Sequence, residues 1–298
     1  MTGEKGSIVV LGMFDGVHIG HAALFAAAKA LSRETQLITI AYTFKNHPLE
    51  LVPGAKPPKL LLDAEERKDI ILSLSIDKVV TDEFNRELCD MEAEDFIKML
   101  ISRFSVKHVI AGFNYTFGRL GAGNTEALFE FGKKYGFGVH VIEPVMYKGE
   151  VVSSSRIRRC IESGDVESAN AQLTRNFTIK GTVQFGRQGG RTIGFPTANI
   201  KNETNRPVPL YGVYATRAHI DGKTYMGVTN VGNNPTFDLC DLSIETHIFD
   251  FDENIYGKAI EIEFLSFLRK QMRFLSVDDL KSQIAEDKKR AIQIHSAT

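Results

Sequence analysis

Hydrophobic periodicity changes character part-way along this chain, and one layered domain cannot satisfy both patterns. Through about residue 150, short apolar runs at Ser7–Gly12, Leu37–Thr43, Lys78–Thr81, Lys107–Ala111 and Gly138–Ile142 alternate with helical patterns. Within Glu92–Phe104, for example, Phe96, Ile97, Leu100, Ile101 and Phe104 fall on one stripe, as a half-buried helix requires. Strands alternating with helices predict a parallel sheet covered on both faces, with ligands outside the carboxyl ends of its strands. After about Phe177 strand follows strand: Phe177–Phe185, Val213–Ile220, Thr224–Val231, Ser243–Phe249 and Ile260–Phe264, separated by turns such as Asp221-Gly222-Lys223. The next helix signal is Ser276, three residues before Asp279 in a capping-box pattern, with Leu275 and Leu280 placed as a hydrophobic staple. The second half therefore reads as an antiparallel β-barrel closed by a C-terminal helix.

Bulk properties exclude several classes. At 298 residues the chain has room for two ordinary domains, and 43% hydrophobic with 24% charged residues is a globular composition. A net charge of −1 gives no electrostatic footprint for nucleic acid or a membrane surface. Cys89, Cys160 and Cys240 are scattered, without zinc spacing, as expected of small buried side chains in a reducing compartment. No apolar run approaches the roughly 18 residues of a bilayer span, and the MTGEKGSIVV start has no secretory pattern. The expectation is a cytoplasmic protein without nucleic-acid or membrane partners.

Between the first apolar run and an alanine-rich stretch, Ala22–Leu31, lies GMFDGVHIGH, residues Gly12–His21. The order reads as strand, tight glycine loop and helix. Gly12, Gly16 and Gly20 allow a sharp turn and a close ligand, with Phe14 inside the loop. His18 and His21, three apart, share a face at the helix start, where free N–H groups and the dipole favour phosphate oxygens. The same spacing also suits a metal pair or a helix cap, and Asp15 equally suits a turn-organising role.

GMFDGVHIGH resembles the HxGH signature of the nucleotidyltransferase superfamily. Thr43–Pro48 (TFKNHP) resembles a TFxPHP motif, Ala111–Gly118 (AGFNYTFG) a GxDFxFG motif, and Ser153–Arg158 (SSSRIR) an SSTxIR motif. Gly186–Asn199 (GRQGGRTIGFPTAN), Asn230–Phe237 (NVGNNPTF), Ile244–Phe251 (IETHIFDF) and Tyr256-Gly257 complete the set. Together, in order and over almost the whole chain, they are similar to the bifunctional prokaryotic riboflavin kinase/FMN adenylyltransferase family. Asn46 stands where that family usually has proline, Met13 where asparagine is frequent, and Gln271 where glutamate is common.

The resemblance implies an α/β chain: an N-terminal parallel-sheet nucleotidyltransferase domain (1–158), a helical linker (159–176) and a C-terminal antiparallel β-barrel kinase domain (177–298). It implies two reactions in series, riboflavin to FMN and FMN to FAD, with ATP as co-substrate and Mg²⁺ as the metal. For adenylyl transfer it assigns His18 and His21 to catalysis, and Gly12, Phe14, Gly16, His18, His21, Ser154, Ser155 and Arg158 to ATP. His47, Asn114 and Phe117 fall to the flavin. Read as residues alone, the serines also suit helix N-caps, and the aromatics Phe113, Tyr115 and Phe117 share a face in an extended segment whether or not they are core. For the kinase the resemblance makes Glu245 the general base. Gly186, Gly194, Pro196 and Thr197 then line ATP, and Thr197 and Asn199 hold the metal. Thr197 and Asn199 at i, i+2 face one way in a strand, and their oxygens suit a hard cation; a plain turn accounts for them as well.

Overall fold

The computed structural model describes residues 6–185, 194–201, 206–233 and 242–297, and the chain divides into two compact units, Met1–Ser154 and Ser155–Thr298. The first is built on a five-stranded parallel sheet: β1 (Ser7–Leu11), β2 (Ile38–Phe44), β3 (Lys78–Asp82), β4 (Val106–Gly112) and β5 (Gly138–Ile142). Five helices accompany it: α1 (Ile19–Thr35), α2 (Ala64–Ser73), α3 (Arg86–Asp90), α4 (Ala93–Phe104) and α5 (Thr125–Tyr135).

Every residue of β1 is buried, and its period of two divides the core. Ile8 and Val10 join Phe25 and Ala28 of α1 and Ile71 of α2. Val9 and Leu11 join Phe96, Ile97 and Leu100 of α4 and Leu128 of α5. A strand covered on both faces needs the continuous apolar sequence SIVVL. The sheet order β3-β2-β1-β4-β5 reverses direction between β1 and β4, so their carboxyl ends open the crevice where such sheets take ligands. Both motif loops, after Leu11 and after Gly112, start there. A two-residue hairpin, β6 (Met146–Tyr147) and β7 (Glu150–Val151), ends the unit.

The second unit contains most of α6 (Ser154–Ser163), then α7 (Val166–Gln172) and six strands: β8 (Thr178–Gln184), β9 (Ala198–Lys201), β10 (Gly212–Ile220), β11 (Lys223–Asn233), β12 (Leu242–Ile248) and β13 (Ala259–Arg269). They close into a barrel, β10-β11-β12-β9-β8-β13, with every pair antiparallel. Asn170 on α7 donates through Nδ2 to the Phe264 carbonyl (2.8 Å) and accepts the Phe177 N–H (2.7 Å), which ties that helix to the barrel wall. Within the barrel the hydroxyls of Thr216, Thr229 and Thr246 form a chain of 2.8 Å bonds, so each buried polar atom is matched by another. Helix α8 (Val277–Ala297) begins with the Asp279 N–H bonded to Ser276 Oγ at 3.0 Å. It is pinned by Asp287, buried, whose carboxylate takes three bonds from Arg269 at 2.8–3.0 Å.

Two expectations need amending. Strand β9 begins two residues after Pro196, and its four described residues are too few for an apolar period to register. The Phe113–Phe117 stretch is a turn, not an extended segment: the Tyr115 N–H reaches the Gly112 carbonyl (3.0 Å). Phe113 is therefore turned outward, 41% exposed, whereas Tyr115 stacks on Phe117, which is 6% exposed.

Candidate active sites

The loop from Gly12 to His18 makes its turn through left-handed backbone at Phe14 (φ 51°), Gly16 (φ 82°) and Val17 (φ 41°). For Phe14 and Val17 this conformation is strained, and both are completely buried, so packing enforces it. The loop delivers His18 as N-cap of α1, and the two histidines then cap each other. The His21 N–H donates to His18 Nδ1 (3.3 Å), and the His18 N–H donates to His21 Nδ1 (3.4 Å). Their rings stack with centroids 3.6 Å apart and planes 17° from parallel. Gly20 permits this, since a Cβ there would sit 3.0 Å from the His18 ring.

Protonation follows from the geometry. Burial lowers His18 to about 4. Burial also holds His21 well below the ordinary histidine range, helped by the neighbouring His18 and Arg67. Both rings are therefore neutral at pH 7. Because each Nδ1 accepts a backbone N–H, each ring proton is on Nε2. The outcome is two stacked, neutral rings, each with an Nε2–H donor, at a helix N-terminus.

Asp15 is buried and accepts the N–H groups of Leu61 (2.9 Å) and Leu62 (3.3 Å), while its carbonyl accepts Ser154 Oγ (2.8 Å). It organises the surrounding chain, joining the glycine loop to the entry of α2 and the start of α6. Thr43 Oγ1 donates to the Met13 carbonyl (2.9 Å), fixing the loop against β2. His47 caps a 3₁₀ turn at Pro48–Leu51, its Nδ1 accepting the Leu49 N–H (3.1 Å). Asn114 is exposed in the turn after β4. Phe117 lies in the core against Phe96 and Phe131, with ring centroids 5.7 and 6.4 Å away. Ser154, Ser155 and Arg158 occupy the first turns of α6, where Ser155 is exposed and Arg158 buried.

In the barrel, strand register assembles what the sequence separates. Glu245 on β12 pairs directly with Asn199 on β9 and with Asn230 on β11. Directly opposite residues share a face, so the carboxylate is flanked by two amide side chains. That face is opposite the one carrying buried Ile244 and Thr246. Ser243 Oγ donates to Glu245 Oε1 (2.9 Å), and Gln271 Nε2 donates to Asn230 Oδ1 (3.1 Å). The Pro196 carbonyl accepts from His247 Nδ1 (2.9 Å), which steadies the segment holding Thr197. Gly194 closes that turn with φ 87°. Gly186 lies outside the described residues, as do Gly189, Gly190, Asn234–Phe237 and Cys240.

These two arrangements coincide with two family matches. The FAD synthetase model matches residues 1–156, and the riboflavin kinase model matches residues 173–295. The "Bifunctional riboflavin kinase/FMN adenylyltransferase" of Bacillus subtilis is 36% identical over 97% of this chain and 93% of its own length. The chain belongs to the bifunctional riboflavin kinase/FMN adenylyltransferase family. The Escherichia coli K12 member is 32% identical over 99% of this chain and 95% of its own. A crystal structure described as a macrolide-efflux protein from Streptococcus pneumoniae superposes with a TM-score of 0.89 at 32% identity, covering 96% of this chain and 93% of that one. Among the described residues no helix is long and apolar enough to cross a membrane.

Two departures from this family's pattern have local explanations. Asn46 exchanges two bonds with the Phe84 backbone (3.0 and 2.8 Å), bracing the turn after β2. Gln271 lies over Gly232, where a Cβ would collide with its amide. Nothing in the structure explains Met13. Sequence reading passed over Asn230 as a flank of the carboxylate, Ser243, His247 and the buried Arg67. Ser243 and His247 had a signal, since both stand two residues from Glu245 and share its face.

Proposed function

We propose that this chain phosphorylates riboflavin to FMN with ATP and then adenylylates FMN to FAD, releasing pyrophosphate, in the cytoplasm. The observation that carries the reading is that each family-matched half contains its own set of polar groups suited to one of these steps.

In the adenylyl step an FMN phosphate oxygen attacks the α-phosphorus of ATP, and the bond to pyrophosphate breaks. The attacker is already an anion, so the protein's task is placement and charge stabilisation. The paired Nε2–H groups of His18 and His21 donate to phosphate oxygens as charge builds on the leaving group. Gly12, Phe14 and Gly16 shape the loop beside the triphosphate, with Ser154, Ser155 and Arg158 as further ATP contacts. His47 and Asn114 are the flavin contacts. Phe117, shielded in the core, supports that side by packing beneath the turn rather than by offering an open ring face.

In the kinase step Glu245 takes the proton of the ribityl 5′-hydroxyl as its oxygen attacks the γ-phosphorus and ADP departs. Ser243, through its bond to Oε1, sets the carboxylate's orientation. Hard oxygen donors beside a carboxylate fit Mg²⁺. Thr197 and Asn199 would hold it, and it would offset phosphate charge. Gly186, Gly194 and Pro196 belong to the segment that borders ATP.

A chromatographic time course with riboflavin, ATP and Mg²⁺ tests the reading. FMN appearing first and FAD following is the expected result. Accumulating FMN without FAD removes the adenylyl-transfer half of the proposal, FAD made only from supplied FMN removes the kinase half, and no product from either substrate removes both.

A further inference from the structure

Tyr256 and Gly257 are among the motif residues of the barrel half, yet neither reaction step employs them. Their turn is tied to the end of β8. The Gly257 N–H donates to the Val183 carbonyl (2.9 Å), the Val183 N–H to the Lys258 carbonyl (3.0 Å), and the Lys258 N–H to the Ile255 carbonyl (3.0 Å). Buried Ile255 anchors the turn, and Gly257 takes it through left-handed backbone at φ 78°. Tyr256 is thereby held beside Phe185, the residue that follows β8. The two rings stack with centroids 3.9 Å apart and planes 18° from parallel. Phe185 is nevertheless 74% exposed, so its face away from Tyr256 is left to solvent. A lone exposed phenylalanine is ordinary, but one laid flat on a second ring, itself carried by a braced turn, is a rigid aromatic platform.

Strand register indicates what the platform receives. Gln184, the last residue of β8, pairs directly with Asn199 on β9, which pairs with Glu245 on β12. One row across the barrel wall therefore runs from the carboxylate, past Asn199, to the end of β8, two strand spacings or roughly 10 Å away. In an in-line transfer the attacking hydroxyl and the departing ADP are on opposite sides of the γ-phosphorus. With the hydroxyl at Glu245 and the phosphates beside Thr197 and Asn199, the nucleoside is directed toward β8. An extended nucleoside triphosphate covers that distance. Phe185 is also joined directly to Gly186, the first residue of the segment that borders ATP. We infer that the Phe185–Tyr256 stack is the platform for the adenine base of ATP in the kinase step, with the base lying on the open face of Phe185. The inference rests on the kinase reading above. Because every base has a π-face, the platform supplies affinity for the nucleoside and leaves the choice among bases to other contacts.

The test compares Phe185→Ala with Phe185→Trp in the full-length chain. The sequence has no tryptophan, so Phe185→Trp keeps a ring on the platform and places a single emitter there. Mg²⁺ with ADP should quench its emission, whereas Mg²⁺ with inorganic tripolyphosphate, which has no base, should leave it unchanged. In riboflavin phosphorylation, Phe185→Ala should raise KM for ATP on the order of tenfold, the ordinary worth of one stacked base, with kcat and KM for riboflavin near the parent. Phe185→Trp should hold the parent KM. FAD formation from supplied FMN should be unchanged in both, which checks that the variants fold. Emission that ADP does not quench, or an unchanged KM for ATP in Phe185→Ala, overturns the inference. So does a rise in KM for riboflavin in place of ATP, which would put the flavin on the platform. Quenching by ADP in a chain whose parent makes no FMN would instead overturn the kinase reading and leave the base-binding platform standing.

Discussion

Replacing Gly20 by alanine should separate stability from adenylyl transfer. Gly20 is in the first turn of α1, where alanine improves helix propensity by up to about 1 kcal/mol. Its new Cβ would meet His18 Cε1 and Nδ1 at 3.0 Å, so the ring must retreat by a few tenths of an ångström. The bond from the His21 N–H to His18 Nδ1 is already 3.3 Å long, and retreat would forfeit most of it, a loss of about 0.5–1.5 kcal/mol. The two terms offset, so the first unit should unfold within about 1 kcal/mol of the parent. Catalysis has no such compensation. A catalytic group misplaced by about 1 Å loses roughly a hundredfold in rate, and a fraction of that shift about tenfold. FAD formation from FMN, followed by chromatography, should therefore fall about tenfold while FMN formation from riboflavin stays at the parent rate. FAD formation at the parent rate, with stability unchanged, would refute the claim that His18 is held in one exact place by its stacked partner and the bare glycine.

Glu245→Gln should cut FMN formation by roughly 10²–10⁴, the ordinary contribution of a general base, and spare FAD formation from supplied FMN; His21→Ala should do the reverse. Asp15→Ala leaves the N–H groups of Leu61 and Leu62 without their carboxylate acceptor in a buried setting, and denaturant unfolding of the first unit should lose roughly 2–5 kcal/mol. Acid should weaken that unit through His18. Its folded pKa of about 4 is below the ordinary 6.5, so the unfolded chain takes up a proton first as pH falls. The His18 contribution is whole above about pH 6.5, falls by about 3 kcal/mol towards pH 4 and levels off below it. His18→Asn retains an N-cap oxygen without the titration and should flatten that slope in unfolding curves taken across the range.

The alternation of apolar runs was enough to anticipate the parallel sheet, because a doubly covered strand such as Ser7–Leu11 has no other way to be stable. Strand succession likewise announced the barrel. What escaped the sequence depends on register or on depth. Asn199, Asn230 and Glu245 belong to three strands, and only hydrogen-bonded pairing brings them abreast. Arg67 follows two glutamates and precedes a lysine, the pattern of a solvated helix face, and only the position of α2 on the sheet turns it inward. The reciprocal histidine cap was open to several readings because histidine is outside the residue types usually found at N-caps. Tyr115 and Phe117 kept a common face and stack on each other, but Phe113 is turned out to solvent, since a turn, unlike a strand, does not preserve a period of two.

The mutual cap of His18 and His21 also bears on how such chains diverge. Serine or threonine at 18 with glutamate or glutamine at 21 is the ordinary capping box and would start the same helix as well or better. A descendant released from making FAD could therefore drift to that box with its fold intact and its second unit still at work. Selection on folding would not register the change. Under the proposed role, those two positions serve as a marker: among chains with this loop, histidines at both would record continuing selection for phosphate handling, and a conventional cap its end.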